Sequence, residues 1–502
     1  MEKRIGAGAA GWAGVASAIA GAGLGELVAA VSAPRSSPFA SIGSALIDLA
    51  PTWAKDAAIA LFGTADKVAL LVLIAAVLLG AAAVAGLVQR IRPPWGSALA
   101  GLLGAIGIVA AVTRADADPL AFLPSAIAGA TGAAGVWLLI RPTADQAGGL
   151  SRRGFLVATV SAAVVGGAAA AWSGAGNATG RSIRVVRDAI RLPSAHNRAS
   201  VPDGADLGIE GVAPLITPNN EFYRIDTALI VPEIDPAEWS LRIHGLVERE
   251  ITLTWDELLA LPLEESVTTL ACVSNTVGGG LIGNALWLGY PIRHLLADAR
   301  PLPEADMVLS RSQDGFTAGT PLETLTDDRN AILAVGMNGD PLPFEHGFPV
   351  RMVVPGLYGY VSATKWVVDL EVTRFDRARA YWTDRGWTAE GPIKLHSRID
   401  VPRGSEVPSG ETVVAGVAWQ QHVGVAGVEV RVDGGSWQRA SLATAISDDT
   451  WVQWSLPATL TPGEHDLTCR ALSRAGETQT AEQAPPAPNG ATGHHTVRVT
   501  AA

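Results

Sequence analysis

Apolar residues in the first third of the chain form long uninterrupted stretches, whereas polar and apolar positions alternate over the rest. A helix needs about 20 apolar residues to cross the hydrocarbon core of a bilayer. Five stretches approach or exceed this length, at residues 5–25, 68–88, 96–113, 119–140 and 154–172. The pattern therefore predicts a bundle of about five transmembrane helices within residues 1–175. The charged segment 41–63 is predicted to be an interfacial or extracytoplasmic helical loop.

Basic residues in the short loops predict the orientation of these helices. Lysines and arginines lie in residues 1–4, 89–92 and 141–153, which alternation places in the cytoplasm, so everything after Trp172 is predicted to be extracytoplasmic. Ser151–Leu156 reads SRRGFL and resembles the twin-arginine export signal; an ordinary positively charged anchor is the alternative. The predicted spans carry no charge at their centres, which favours an anchor or docking platform over a transporter.

Charge divides the chain at the same place. Residues 1–173 hold 11 basic and 8 acidic residues, and the remainder holds 26 and 40. The whole chain is 17% charged with a net charge of -11, so a nucleic-acid partner is not expected. Two cysteines, Cys272 and Cys469, are too few for a disulfide-rich scaffold or a four-thiolate metal site.

Periodicity predicts two further domains after a linker at residues 176–203. Mixed helical and strand patterns over 204–380 predict an α+β domain. From 381 to 502, short alternating strands separated by glycine- and proline-containing turns predict a β-sandwich of immunoglobulin type. Cys469 lies in one of these strands and is predicted to be a small core residue.

Cys272 is the more promising cysteine because an apolar strand delivers it into a glycine-rich loop that runs through Gly278–Gly280. A thiolate is a soft metal ligand. One thiol does not complete a metal site, so most of the ligands would have to come from elsewhere, such as a cofactor. On these residues alone, a buried and unreactive cysteine remains an alternative.

His346, Arg351 and Lys365 lie around a predicted strand and a glycine turn. Cations that converge in this way bind phosphate or another anion. A solvated basic edge is the alternative.

Four segments occur in an order that resembles the molybdopterin-binding oxidoreductases of the sulfite oxidase family. They are TPNNEFYRID at 217–226, the Cys272 loop with GNALWLGYPIRHLL, NGDPLPFEHGFPVRMVVPG at 338–356, and TKW at 364–366. The C-terminal part resembles the family's dimerisation domain through GVAW at 416–419, VEVRVDGGSWQRA at 428–440 and APNG at 487–490. The resemblance covers roughly 205–500 and implies a homodimer through the C-terminal domain.

The resemblance implies that Cys272 binds molybdenum beside the two dithiolene sulfurs of the pterin. It also implies a set of residues that hold the cofactor, the two at 363 and 364 through their backbone: Asn220, Tyr223, Arg224, Ser312, His346, Arg351, Ala363, Thr364 and Lys365. The implied reaction is a two-electron oxygen-atom transfer on a small oxyanion or oxide. No C-x-x-C-H segment occurs, so electrons are expected to pass to a separate cytochrome or quinone partner.

The sequence departs from the family where the substrate would bind. Animal and plant sulfite oxidases read C-x-G-N-R-R, but Cys272 is followed by VSNTV, and Phe316 stands at a tyrosine position. Oxidation of sulfite and reduction of a sulfoxide or N-oxide therefore both stay open. The alternatives to an enzyme are a molybdopterin- or metal-binding module without turnover, and a surface protein whose sandwich binds another macromolecule.

Overall fold

The computed structural model describes residues 5–33, 36–50, 66–114, 117, 119–140, 178–404 and 406–502, with single positions at 157, 160, 161, 164 and 167. The chain divides into two compact units. One comprises Met1–Arg184 with Thr227–Val231, and the other comprises Val185–Asp226 with Pro232–Ala502. All residues predicted to carry chemistry belong to the second unit.

The described part of the first unit is helical and apolar. Its helices are α1 (Ala7–Ser32), α2 (Pro38–Leu49), α3 (Asp66–Ile91), α4 (Trp95–Val112) and α5 (Phe122–Leu139). Within the described residues, α1, α3, α4 and α5 are long and apolar enough to cross a membrane, by length and composition alone. They coincide with four of the five predicted spans, and α2 coincides with part of the predicted interfacial segment. The fifth span, apart from the single positions, and the SRRGFL segment lie outside the described residues.

Small residues let helices of this unit touch backbone to backbone. A Cβ atom added to Gly14 of α1 would lie 2.0 Å from the carbonyl oxygen of Ala82 in α3, and one added to Gly86 would lie 2.0 Å from that of Ala10. Such close crossings are typical of helices that associate in lipid, because packing and not the hydrophobic effect drives their association. Membrane insertion itself stays a prediction.

Two sheets form the α+β part of the second unit. One has the strand order β2-β1-β10-β5-β6 and the other β3-β4-β7-β8, with β9 paired to β7. The strands of the first sheet are β1 (Ser240–Gly245), β2 (Ile251–Thr254), β5 (Met307–Ser312), β6 (Thr317–Pro321) and β10 (Val367–Thr373). Those of the second are β3 (Glu264–Ala271), β4 (Ile282–Pro291), β7 (Ile332–Met337), β8 (Asp340–Pro341) and β9 (Arg351–Val353).

Short helices join these strands, at α7 (Trp255–Ala260), α8 (Ile292–Ala299) and α9 (Glu323–Thr326). Helix α7 begins at a capping box, in which Thr254 and Glu257 satisfy each other's backbone N–H groups. The predicted linker contains an additional helix, α6 (Ala178–Ala189). Its Arg187 donates to the carbonyl oxygens of Pro341 and Leu342, at 2.7 Å each, so the linker is attached to the segment that leads to His346.

The C-terminal region consists of two sheets that share one core. Their orders are β11-β13-β17-β16 and β12-β19-β18-β14-β15. The strands are β11 (His396–Val401), β12 (Glu406–Val407), β13 (Gly410–Trp419), β14 (Val425–Val432), β15 (Gln438–Arg439), β16 (Ser441–Leu442), β17 (Val452–Leu460), β18 (Gly463–Ser473) and β19 (His495–Ala501). Trp454 and Cys469 are completely buried between the sheets, which confirms Cys469 as a core residue. The immunoglobulin type and the domain boundaries stay predictions.

Candidate functional site

Cys272 directly follows β3 and begins a loop that its own backbone closes. Its N–H donates to the carbonyl oxygen of Leu281 at 2.9 Å, and its carbonyl oxygen accepts from the N–H of Asn275 at 3.1 Å. The N–H of Leu281 in turn donates to Oδ1 of Asn275 at 2.8 Å. The loop therefore presents Cys272 at a fixed position, and this residue keeps part of its surface accessible whereas Cys469 does not.

The surroundings of the Cys272 thiol act on its pKa in opposite directions. Burial raises the pKa, whereas hydrogen bonds from the N–H and hydroxyl groups of Ser274 and the charge of Lys365 lower it, with burial the larger effect. Without a metal the thiol is therefore the favoured form at neutral pH. The groups that stabilise a thiolate are nevertheless already in position.

Arg351 is a buried cation whose contacts are neutral. Only 3% of its surface is exposed. Its guanidinium donates to the carbonyl oxygens of His346 at 3.1 Å, Met352 at 3.3 Å and Ala363 at 3.5 Å, and lies 5.1 Å from the ring centroid of Trp287. Burial lowers its pKa to about 10. No carboxylate in the described part of the chain forms an ion pair with it, so the site suits an anion from outside the chain.

His346 adds a buried imidazole to the same place. Its Nε2 atom lies 3.1 Å from the carbonyl oxygen of Asn219, and its Nδ1 atom is buried without a partner among the described residues. Burial, together with the charges of Lys365 and Arg351, lowers its pKa to about 3. The ring is therefore neutral here, with its one proton on Nε2, and Nδ1 could donate to a bound anion only after it gains a proton.

Asp226 joins two further cations. Its Oδ2 atom lies 2.9 Å from Nζ of Lys365 and 3.1 Å from Nε of Arg224. Lys365 also donates to the carbonyl oxygen of Glu345 at 2.9 Å, next to His346 in sequence. One carboxylate thus fixes two cations beside the buried imidazole.

Gly347 permits the close approach of these groups. Its φ angle is +111°, and an added Cβ would lie 2.9 Å from Cβ of Arg351 and 3.1 Å from Cβ of Lys365. A side chain here would push the two basic residues apart and would also strain the backbone.

Tyr223 lies close to both Cys272 and the basic group formed by His346, Arg351 and Lys365. Burial and the charge of Cys272 raise its pKa, and Arg351 lowers it, so the tyrosine lies within electrostatic range of both. Its ring stacks on Phe222 with centroids 5.2 Å apart, and Phe222 meets the ring of His346 edge-on at 5.4 Å. The segment 217–226 therefore lies against both parts of the site.

The other predicted site residues occupy different positions. Thr364 is buried; its hydroxyl lies 2.7 Å from that of Ser310 and its carbonyl oxygen accepts from Met352. The Ser312 hydroxyl is hydrogen-bonded to Asp314. Asn220 is exposed, and no hydrogen bond of its side chain occurs within the described segments. The structure thus brings five of the predicted residues together: Tyr223, Cys272, His346, Arg351 and Lys365. Arg224 is joined to them through Asp226, and Ala363 through Arg351. Asn220 is not brought to this group.

Sequence reasoning missed several polar partners. Asn219 accepts from His346, Asp226 pairs with two cations, and Ser274 bonds to the thiol. Tyr358 also lies close enough to Cys272 for the thiol to affect its pKa. Asn219 and Asp226 fall inside the quoted segment 217–226, but nothing in the local pattern indicates what they contact.

The residues fit a metal carried by a large anionic cofactor. No group of three or more His, Cys, Asp or Glu side chains is arranged for a metal ion anywhere in the described ranges. A metal at Cys272 would therefore take other ligands from its carrier. The buried guanidinium and the unpartnered imidazole nitrogen suit a phosphate at the far end of that carrier.

Comparisons with known proteins agree with this geometry. Residues 228–382 match the family model described as oxidoreductase molybdopterin binding domain. Human mitochondrial sulfite oxidase is 30% identical over 336 residues, covering 57% of this chain and 61% of the human protein. The uncharacterized oxidoreductase YuiH of Bacillus subtilis is 31% identical over 157 residues, covering 31% of this chain and 76% of its own length.

A solved structure shares the fold. The sulfane dehydrogenase SoxCD from Paracoccus pantotrophus has a TM-score of 0.51 at 24% identity, with 62% of this chain and 91% of that chain covered. The chain spans less than two thirds of the human enzyme, and its apolar N-terminal helices precede the matched family domain. On these grounds the chain belongs to the sulfite oxidase family of molybdopterin-binding oxidoreductases, and its implied cofactor is molybdenum bound to molybdopterin.

Proposed function

We propose that this chain is a membrane-anchored, extracytoplasmic molybdenum enzyme that catalyses a two-electron oxygen-atom transfer. The observation that carries the proposal is the buried Arg351, which lacks a carboxylate partner among the described residues and lies beside an imidazole whose Nδ1 atom has none. A buried charge of this kind is costly without a counter-ion. The terminal phosphate of molybdopterin would supply one.

Each cluster of the site then has a distinct task. Cys272 is the protein's ligand to molybdenum, and Ser274 orients the thiolate through two hydrogen bonds. His346, Arg351 and Lys365 hold the phosphate end. The remaining predicted residues would hold the polar body of the pterin; they are Asn220, Tyr223, Arg224, Ser312, Ala363 and Thr364. When bound, molybdenum supplies the redox chemistry, and the chain supplies position and charge.

The surroundings of Cys272 determine whether its thiol is protonated. Burial keeps the thiol protonated, so metal binding must displace a proton. Lys365 and Ser274 stabilise the resulting thiolate. The raised pKa therefore disfavours a thiolate until the metal is present.

The substrate is a small oxyanion or oxide, either sulfite or a sulfoxide or N-oxide. The five residues after Cys272 contain no arginine, and Phe316 has no hydroxyl to donate. Its ring packs 5.7 Å from that of Tyr381. A less basic site of this kind fits a less charged substrate at least as well as a dianion. Electrons pass to a separate cytochrome or quinone partner, and the C-terminal region forms the contact of a homodimer.

Metal analysis of the full-length chain tests the proposal. Protein from a host that makes the cofactor should hold about one molybdenum per chain, and Cys272→Ala should lower this at least about tenfold. Cys469→Ala is the matched control, because that cysteine is buried in the C-terminal core. A substrate panel of sulfite, a sulfoxide and an N-oxide then decides the reaction. Equal metal in Cys272→Ala and wild type would overturn the metal-ligand role, and metal without turnover would support a non-catalytic binding module.

A further inference from the structure

We propose that Arg398, Asp400 and His495, all from the C-terminal sheets, position the loop that presents Cys272. The inference rests on the proposed role of Cys272 as the metal ligand. It gives the C-terminal region a task at the site within a single chain, in addition to any role in dimerisation.

Arg398 holds the returning limb of the Cys272 loop. Its Nη1 atom donates to the carbonyl oxygen of Gly279 at 2.9 Å. Its Nε atom lies 2.6 Å from Oδ1 of Asp400, and the two side chains are only 12% and 6% exposed. Asp400 is fixed in turn, because its Oδ2 atom accepts from the N–H of Ala213 at 3.0 Å. The guanidinium therefore meets Gly279 in one orientation.

His495 supports the adjacent residue of the same limb. Its ring lies so close to Gly278 that an added Cβ would be 2.3 Å from it, and Gly278 has a φ angle of +76°. The ring is itself fixed, because its Nδ1 atom accepts from the N–H of Ile399 at 2.9 Å. Burial and the charge of Arg398 lower its pKa, so the ring is neutral.

The other limb of the loop is held by turns of the C-terminal region, which lie next to the strands of these sheets. Thr269, near the end of β3, donates its N–H to Asp449 at 3.0 Å and accepts at its hydroxyl from the N–H of Trp451 at 2.8 Å. Its carbonyl oxygen accepts from Nε2 of Gln421 at 3.0 Å.

The strand that enters the loop and the limb that leaves it are thus both bound to the C-terminal region. A shift of Gly279 would displace Cys272 as well, because only a few bonds separate the two residues. Leu281, two residues later, accepts from the N–H of Cys272 and donates to Asn275. A loose returning limb would weaken both bonds and leave the thiol less well placed. The position of a metal ligand such as the Cys272 thiol depends on such support, because ligands held by rigid neighbours bind metal better than mobile ones.

Thiol reactivity of the full-length, cofactor-free chain tests this proposal. The protein would be made in cells that lack molybdopterin and purified in detergent. Iodoacetamide labelling of Cys272 would then be followed against pH by mass spectrometry of its peptide. Arg398→Met should raise the labelling rate at least about threefold at every pH by exposing the thiol. Arg398→Lys keeps the charge and a donor, and should react within about twofold of wild type.

Arg470→Met is the matched control, because Arg470 forms a comparable, partly buried ion pair with Glu429 at 2.7 Å in the same region. Its Cys272 should react at the wild-type rate. Cys469 reports on the fold and should stay unlabelled in every variant. If Arg398→Met does not fold, His495→Ala provides the same test with the ion pair intact. Wild-type rates in both Arg398→Met and His495→Ala would overturn the proposal, as would an equal rise in Arg470→Met. A wild-type chain without molybdenum would instead overturn the proposed function and leave the labelling result unaffected.

Discussion

At the scale of single residues, the site is defined by a buried cation without a counter-ion and a buried imidazole with one unpartnered nitrogen among the described residues. Arg351 and His346 are 3% and 4% exposed, respectively. Their partners are backbone carbonyl oxygens, and the Nδ1 atom of His346 has none within the described residues. A buried charge without a counter-ion and a buried nitrogen without a hydrogen-bond partner are both costly, so their presence side by side points to an anionic ligand.

The buried, neutral state of the His346 ring should be detectable in the pH dependence of the free energy of unfolding. Its pKa falls from an ordinary value of 6.5 to about 3 on folding. The folded state therefore favours the neutral ring, and this contribution is complete above pH 6.5 and declines as the pH falls towards 3. Between pH 7 and pH 5, the stability advantage of cofactor-free wild type over His346→Gln should shrink by about 2 kcal/mol.

Thermal unfolding of the two full-length proteins across this pH range measures the effect. His396, whose pKa is lowered to about 4, contributes the same background to both proteins. Cofactor loading should weaken the dependence, because a phosphate stabilises the charged imidazole. A constant difference between the two proteins would show that His346 is not neutral and buried in the way described.

At the scale of elements, the turn between Phe344–His346 and β9 sets the spacing of the cations. Gly347 occupies this turn with its α-carbon directly beside Arg351 and Lys365. The short connection keeps His346 next to Arg351, and Lys365 lies against the same glycine.

Gly347→Ala should therefore separate the basic residues and reduce molybdenum content at least about fivefold. It should also lower the free energy of unfolding by roughly 1 kcal/mol, because alanine is strained at positive φ. Gly339→Ala is the matched control. Gly339 has a φ angle of +90° but no atom within 4 Å of an added Cβ, so only the backbone strain applies there. Metal analysis and thermal unfolding of both variants separate the two effects. Equal metal loss in both would assign the effect of Gly347→Ala to strain alone.

At the scale of the whole molecule, the chain combines an apolar helical unit with a unit that carries the site. The first unit supplies four helices of membrane-spanning length and composition among its described residues. The second contains every predicted cofactor residue. The proposed export of the second unit depends on the orientation of the helices, and the two interpretations of the SRRGFL segment differ in how export would be achieved.

Replacing both Arg152 and Arg153 by lysine separates these interpretations, because it keeps the positive charge. A twin-arginine signal should lose function, leaving the C-terminal part inside the cell, whereas an ordinary positively charged anchor should be unaffected. Protease accessibility of the C-terminal part in spheroplasts measures the location. Arg141→Lys, in the same basic segment, is the control and should not alter export.

The sequence alone determined those features that depend on local pattern or on a contiguous motif. Four apolar stretches became helices because length and composition suffice to specify them. Cys272, His346, Arg351 and Lys365 were identified because they lie in recognisable segments. Strand patterns also predicted the β-rich C-terminal region and the burial of Cys469.

Only the tertiary structure decided which of these groups meet and what supports them. Asp226 and Lys365 are 139 residues apart, and Arg398 and Gly279 are 119 apart, yet each pair is in contact at 2.9 Å. Such contacts depend on sheet register and on how the β-sheets pack, which no local periodicity encodes. The same packing left Asn220 exposed while it placed the carbonyl oxygen of Asn219 against His346. Sequence thus supplied the reactive groups, and long-range packing supplied their charge partners and their fixed positions.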